Sequence, residues 1–392
     1  MKSCYCYLLA LLLVTACSGN GRSVKNELRG KLVATKQLVE TGEKKFRLDT
    51  DTKVKPPYIQ IYTDDAGDCL LTFLNNRKNA IYFYRYSDTT YLKQIAFERE
   101  GADAIMSAGA YYVKSPDSIY VFNRPLIEIA LADSTGRVHN RVTLLDKEDK
   151  EWALHNPQYL FSPVVPLMLI ENHLILPGMS PFPENLADRE NFRFTACIDL
   201  ATNKAEYHHL YPEELFGNGY NWGGDLILQP YPAISLEGKM VHSFTCSHDL
   251  YISDWKNDAE TKVYGGGNTA GTIRSIDHDA KGTPDELVYA CYMQQDLYAA
   301  LIYDPFRKVY YRYLQRGLPD ADLKTPLDSK PLTIIVMDDQ FRYLGETEIG
   351  TGQEWNWTNS FVTAEGLNIE HIGDEPEDDD FLTFGLFNLK DL

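Results

Sequence analysis

Beyond its seventeenth residue the chain has no long apolar run, and so no further segment able to cross a bilayer as a helix, which takes about 20 apolar residues. It is also poor in positive charge: 38 Lys and Arg stand against 56 Asp and Glu, a formal net charge of −18. Nucleic-acid binding and charge-driven adhesion to anionic lipid need clustered bases, and this balance argues against both. Closely spaced cysteines are missing. Cys69, Cys197, Cys246 and Cys291 lie far apart, each inside an apolar run, so no C-x-x-C metal or redox site is available. Burial is the plain reading; their even number permits disulfides in an oxidising compartment, with the pairing left open.

Several motifs of catalysis are absent as well. The richest glycine segment, Gly265-Gly266-Gly267-Asn268-Thr269-Ala270-Gly271, lacks the Lys-Ser/Thr of a phosphate loop. Asp277-His278-Asp279 joins imidazole to carboxylates without a Ser or Cys elbow. His208-His209 sits on a strand, where adjacent side chains face opposite ways and cannot chelate one ion. Asp374 to Asp380 offers oxygen ligands without the spacing of a calcium loop and reads as a solvated charged loop. Neither sialidase-type Asp boxes nor the Trp-Asp blade signature occurs. No metal and no cofactor is expected from these residues.

What is present begins at the N-terminus. Lys2 precedes the apolar run Leu8 to Val14, and the segment closes on Val14-Thr15-Ala16-Cys17. This resembles a bacterial lipoprotein signal peptide: a positive start, an apolar middle, and a small residue that admits a peptidase before a Cys that carries lipid. The reading is a signal peptide over 1–16, lipid attachment at Cys17, a flexible polar tether over 17–30, and one folded domain over 31–392.

That domain reads as all-β. Tyr and Phe, at 26 and 17, are abundant, Pro and Gly punctuate short runs, and no helical period is sustained. The runs recur in fours, as in a propeller blade. Tyr111 to Leu144 is the clearest copy and Tyr58 to Phe97 a second; further copies start near Pro166, Pro232, Tyr298 and Ser360. The last copy ends one strand short, so Lys31 to Val39 or Lys45 to Leu48 is expected to close the ring and remove an exposed edge. The spacing predicts a β-propeller of about six four-stranded blades. Glu286 to Met293, an extra apolar run, makes seven if it starts a blade.

The leader ending at residue 17, Tyr303-Asp304-Pro305 followed by Tyr310-Tyr311-Arg312, the strand Ile334 to Asp338 before Leu344-Gly345-Glu346, and Ala364-Glu365-Gly366-Leu367 together resemble the domain-of-unknown-function-4221 family of Gram-negative lipoproteins. The resemblance implies a β-propeller lipoprotein. It brings no established activity and hence no catalytic residues.

In such a ring, inter-blade loops and second-to-third-strand loops emerge on one face, and hairpin turns on the other. The first class holds the long segments Asn75 to Asn79, Pro177 to Asn191, Phe216 to Gly224, Gln315 to Lys330, Gly350 to Thr358 and Gly373 to Asp380. Function belongs on that face. Tyr220-Asn221-Trp222 and Trp355-Asn356-Trp357 combine flat rings with amides that suit a glycan or a peptide. Arg77 and Arg124, at equivalent loops, are placed to aim guanidinium forks at an anionic ligand. Packing of the loops and contacts between blades are the competing readings of these residues. The function expected is non-catalytic binding of a glycan, peptide or envelope protein by a lipid-anchored domain, on the periplasmic side of the outer membrane. The alternative is a carbohydrate-active hydrolase or lyase with paired carboxylates at the central channel.

Overall fold

The second and third strands of the first repeat, Cys69–Asn75 and Ala80–Arg85, are apolar on both faces, a pattern useful only to a sheet covered on both sides. Blade 2 shows the consequence. Ala108–Ser115, Ser118–Asn123 and Glu128–Ala132 are mostly buried, whereas the fourth strand, Val138–Thr143, fully buries only Val142. Blade 1 does the same with Ile59–Thr63, Cys69–Asn75, Ala80–Arg85 and the mostly exposed Tyr91–Ala96.

The computed structural model describes residues 22–52, 55–180, 192–373 and 380–392. Six four-stranded antiparallel sheets form a six-bladed β-propeller. Blade 3 runs from Met168–Ile170 to Lys204–Leu210, blade 4 from Tyr231–Ile234 to Glu260–Tyr264, and blade 5 from Leu297–Asp304 to Tyr343–Thr351. Blade 6 takes Trp355–Thr363, Gly366–His371 and Phe381–Asp391 from the C-terminus and receives Lys36–Arg47 as its outer strand. The ring is therefore closed by an N-terminal strand, which spans parts of both segments expected for that role. Across the seam, Phe46 and Phe384 share one buried cluster with Phe73, Tyr82 and Tyr84 of blade 1. Each such ring removed from water contributes about 1.5–3 kcal/mol.

Glu286 to Met293 starts no blade. It lies in the helix Asp285–Met293, preceded by Pro284 and opened by Asp285 and Glu286, whose charges suit a helix N-terminus. At the other end, the buried Lys330 ammonium donates to the carbonyls of Tyr292 (2.5 Å) and Gln295 (3.0 Å). The run is apolar because its Cys291 and Met293 are buried. The last blade begins at Trp355, so Trp355 to Thr358 are strand rather than loop.

Residues 22–30 are not the free tether the composition suggested. Ser23–Val24 pairs with Ile273–Arg274 of the loop joining blades 4 and 5. The Asn26 amide donates to the carbonyls of Gly267 and Ala270, Gly30 N–H donates to Asn268 O, and Leu32 exchanges two hydrogen bonds with the Asn268 side chain. The chain thus enters on the long-loop face and descends the groove between blades 4 and 5. It reaches the opposite face at Thr35, whose N–H donates to Leu344 O.

That opposite face is built of tight turns fastened by aspartates. Asp64, Asp88, Asp133, Asp199, Asp254 and Asp338 each accept a backbone N–H two residues ahead. Such a side chain closes the turn by copying a backbone acceptor. Gly136, in the Asp133 turn, has φ +83°, a conformation that favours glycine. The four cysteines are unpaired; Cys197, Cys246 and Cys291 are buried and Cys69 partly so.

Candidate functional site

The long-loop face carries a cavity of about 650 Å³ where blade 6 passes into blade 1. Thr52, Lys55, Pro56 and Pro57 line one side, and Leu74, Asn75, Asn76 and Arg77 the other. The second wall is the second-to-third-strand loop of blade 1, held because the buried Asn75 amide donates to Thr52 Oγ1 at 3.0 Å. Lys78 is taken up by Asp49 (3.3 Å) and Asp51 (3.1 Å). Arg77 stays 66% exposed, with Asp51 no nearer than 3.9 Å. Its exposed guanidinium, loosely paired with Asp51, stands beside amides and a proline surface.

Behind this wall lies Glu370, fully buried on the middle strand of blade 6. Asn356 and Asn359 each donate to its Oε2 at 2.6 Å, and the Asn359 amide also reaches the carbonyl of Pro56 (2.8 Å) on the cavity wall. Its Oε1 has no hydrogen-bond partner. Burial pushes this carboxyl up to about 7, against the opposing pull of the two amides and Lys55. Glu370 orients Asn356 and Asn359, and Asn359 carries the link from blade 6 to Pro56 on the cavity wall.

The expected binding residues are placed differently from one another. Trp222 is 3% exposed and donates its indole N–H to Leu215 O at 2.7 Å, with Tyr220 stacked on it at 5.3 Å. Asn221 is buried, its amide spent on His278 O and Thr283 Oγ1. Trp355 is 6% exposed, donates to Ile349 O at 2.7 Å and packs edge-on against Phe387 and His371. Neither Trp222 nor Trp355 presents a flat face to solvent: both fasten loops and strands, because an indole N–H placed beside a backbone carbonyl satisfies both groups at once. Asn356 is committed to Glu370 and Thr358. Trp357, half-buried, stands among Tyr231 (5.9 Å) and Tyr313 (6.4 Å) from blades 4 and 5.

Arg77 and Arg124 do occupy equivalent loops, but they do not converge. Arg124 lines a separate cavity of about 390 Å³ with Phe122, Trp152, Pro157 and Leu160, between blades 2 and 3. The two forks therefore do not meet at one cavity. Cys17 and the leader, the loop portion 181–191 and the acidic stretch 374–379 lie outside the described residues.

Three charged side chains with marked environments escaped the sequence reading: Glu370, Lys330 and Arg312. Each is a charge inside or beside an otherwise apolar run, as in Val309-Tyr310-Tyr311-Arg312-Tyr313-Leu314. That contrast is the signal that would have found them. Burial lowers Lys330 to about 7 and Arg312 to about 10. Among the described residues no group of three or more His, Cys, Asp or Glu is placed to hold a metal ion, and no helix is long and apolar enough to cross a membrane.

Comparison with known proteins agrees with the ring. No curated protein matches the chain. A structure of a DUF4221-family member from Bacteroides vulgatus is 18% identical, covering 91% of this chain and 99% of that one, with a TM-score of 0.71. A Bacteroides fragilis protein, provisionally described as exported, is 12% identical over 91% of this chain and 96% of its own, with a TM-score of 0.55. At these identities the likeness is one of fold. The model of the domain of unknown function DUF4221 matches residues 35–348, and the six-bladed chain belongs to that family.

Proposed function

We propose that this protein is a non-catalytic binding propeller, lipid-anchored through Cys17 in the cell envelope, that takes an acidic glycan or peptide on its long-loop face. The observation that carries the reading is the Arg77 cavity. Its size suits a small sugar or a few peptide residues, and its lining sets one exposed guanidinium beside amides and prolines. A rigid ring holds both walls, so little ordering is needed on binding.

The hydrolase alternative needs two carboxyl groups roughly 5 to 10 Å apart. Among the described residues the buried carboxylates Glu128, Asp304 and Glu370 belong to blades 2, 5 and 6. Arg141 and Asn123 take up Glu128, Arg307 takes up Asp304, and Asn356 with Asn359 takes up Glu370. Nothing in these three supports a catalytic pair.

A glycan and peptide array probed with the mature chain tests the proposal. Binding should be confined to probes carrying a carboxylate or sulfate and fall at least tenfold in Arg77→Ala, with the melting temperature unchanged. Binding that survives the substitution moves the site elsewhere.

A further inference from the structure

We propose that the rim of the long-loop face between blades 4 and 5 is the side this protein turns to its membrane, against the surface of the bilayer that holds its anchor. The inference rests on the lipid-anchor reading and goes beyond it by fixing which face meets the lipid.

The first argument is the path of the chain. Arg22 is the point where the described chain enters the fold, and it enters on the long-loop face: its carbonyl accepts the Ser275 N–H, and its guanidinium lies 6.0 Å from the ring of Tyr220. From there the strap runs down the flank of blade 5, pinned by the Ser23–Val24 pairing and by Asn26 and Asn268. Had the strap been free, the chain could have left from the opposite face, where the closing strand begins at Lys36. Docking removes that freedom. Only five residue steps separate Arg22 from Cys17, a reach of at most about 18 Å. A lipid on Cys17 therefore brings this rim to the headgroups.

The second argument is charge. The strap from Arg22 to Lys31 carries Arg22, Lys25, Arg29 and Lys31 against the single acid Glu27, in a chain whose formal net charge is −18. All four bases are exposed. The adjoining loop exposes Asp277, Asp279, Asp285 and Glu286 beside Arg274 and Lys281. Six bases against five acids leave this rim near neutral, so anionic headgroups do not hold it off as they would a surface carrying the chain's net charge.

The arrangement leaves the two cavities usable. The anchor groove lies between blades 4 and 5, the Arg77 cavity between blades 6 and 1, and the Arg124 cavity between blades 2 and 3. Each cavity is two blade boundaries from the anchor. A ring held at one rim tilts, and its far mouths open into the gap above the membrane.

The test uses the full chain made in a lipidating bacterium and reconstituted in vesicles of phosphatidylethanolamine and phosphatidylglycerol doped with spin-labelled lipid. A fluorophore is placed at Asp279→Cys on the long-loop side of blade 4, or at Glu237→Cys on its hairpin side. Mass spectrometry of the Cys17 peptide reports the lipid separately. Quenching at least threefold stronger at position 279 than at 237 is expected. With lipid confirmed on Cys17, equal quenching or stronger quenching at 237 overturns the orientation alone. Absence of lipid on Cys17 overturns the anchor reading and this inference with it.

Discussion

Arg312 is a cation with no carboxylate in its hydrogen-bond shell. Its guanidinium donates to the carbonyls of Ser247 (2.7 Å), Gly265 (3.0 Å) and His248 (3.1 Å) and to Ser243 Oγ (2.9 Å), and it lies 3.7 Å from the centroid of the Tyr298 ring. It rivets the top of blade 4 to blade 5. Arg312→Leu should lose at least about 3 kcal/mol in urea unfolding, because several buried carbonyls lose their donors together. Arg312→Lys should restore little of it, since an ammonium cannot span the same fork.

A second prediction at this scale concerns pH. Burial lowers His209 and His248 to about 4 and His242 well below its ordinary value. Between pH 6.5 and 4 the unfolded chain binds more protons at these rings than the folded chain does, so their contribution is complete above 6.5 and drains away as pH falls. Glu370 has the opposite sign. Raised to about 7, it favours the fold fully below its ordinary 4.5, and that contribution is lost as pH rises through 7. Glu370→Gln, which mimics the neutral form, should gain on the natural protein in thermal stability from pH 5 to pH 8. A difference that stays flat would show that the carboxyl is not titrating there.

Among the elements, the closing strand depends on a glycine. A Cβ at Gly345 would strike the carbonyl of Lys36, where the N-terminal strand passes over blade 5 on its way to blade 6. Thr35 and Leu38 bond to Leu344 O and Thr347 Oγ1 at the same crossing. Gly345→Ala should therefore cost about 1–3 kcal/mol, the usual penalty of overpacking, and expose Lys31 and Lys36 to trypsin. Equal trypsin sensitivity of variant and natural chain would discount the crossing. The strand itself was legible as a segment without a blade. Its bounds were not, because alternation alone cannot tell which residues face Phe381–Asp391 across the seam. The helix Asp285–Met293 escaped for a related reason: over nine residues an apolar run satisfies strand and helix alike.

For the whole molecule, the ring has one non-covalent seam. Removing residues 36–47 uncovers the edge of Phe381–Asp391, whose N–H and C=O groups then seek another strand. Such a chain should elute as oligomers in size-exclusion chromatography with light scattering, whereas the intact chain is not driven to pair by that edge. A monomeric, folded deletion would mean the seam contributes little.

The sequence alone determined the all-β class, the repeat of four strands, the closure by an N-terminal segment and the division into a loop face and a hairpin face, because these follow from local alternation, turn chemistry and loop length. The loop position of Arg77 was legible too, as a charge in a loop whose neighbours repeat one blade later. What Trp222 and Trp355 do was decided only by tertiary structure: a tryptophan flanked by Asn reads alike in a binding loop and in a buried fastening, and the difference is which carbonyl comes within reach of the indole N–H. The separation of Arg77 from Arg124, the docking of residues 22–30 and the cavity itself likewise arise from segments distant in the chain meeting across blades, which no local pattern encodes.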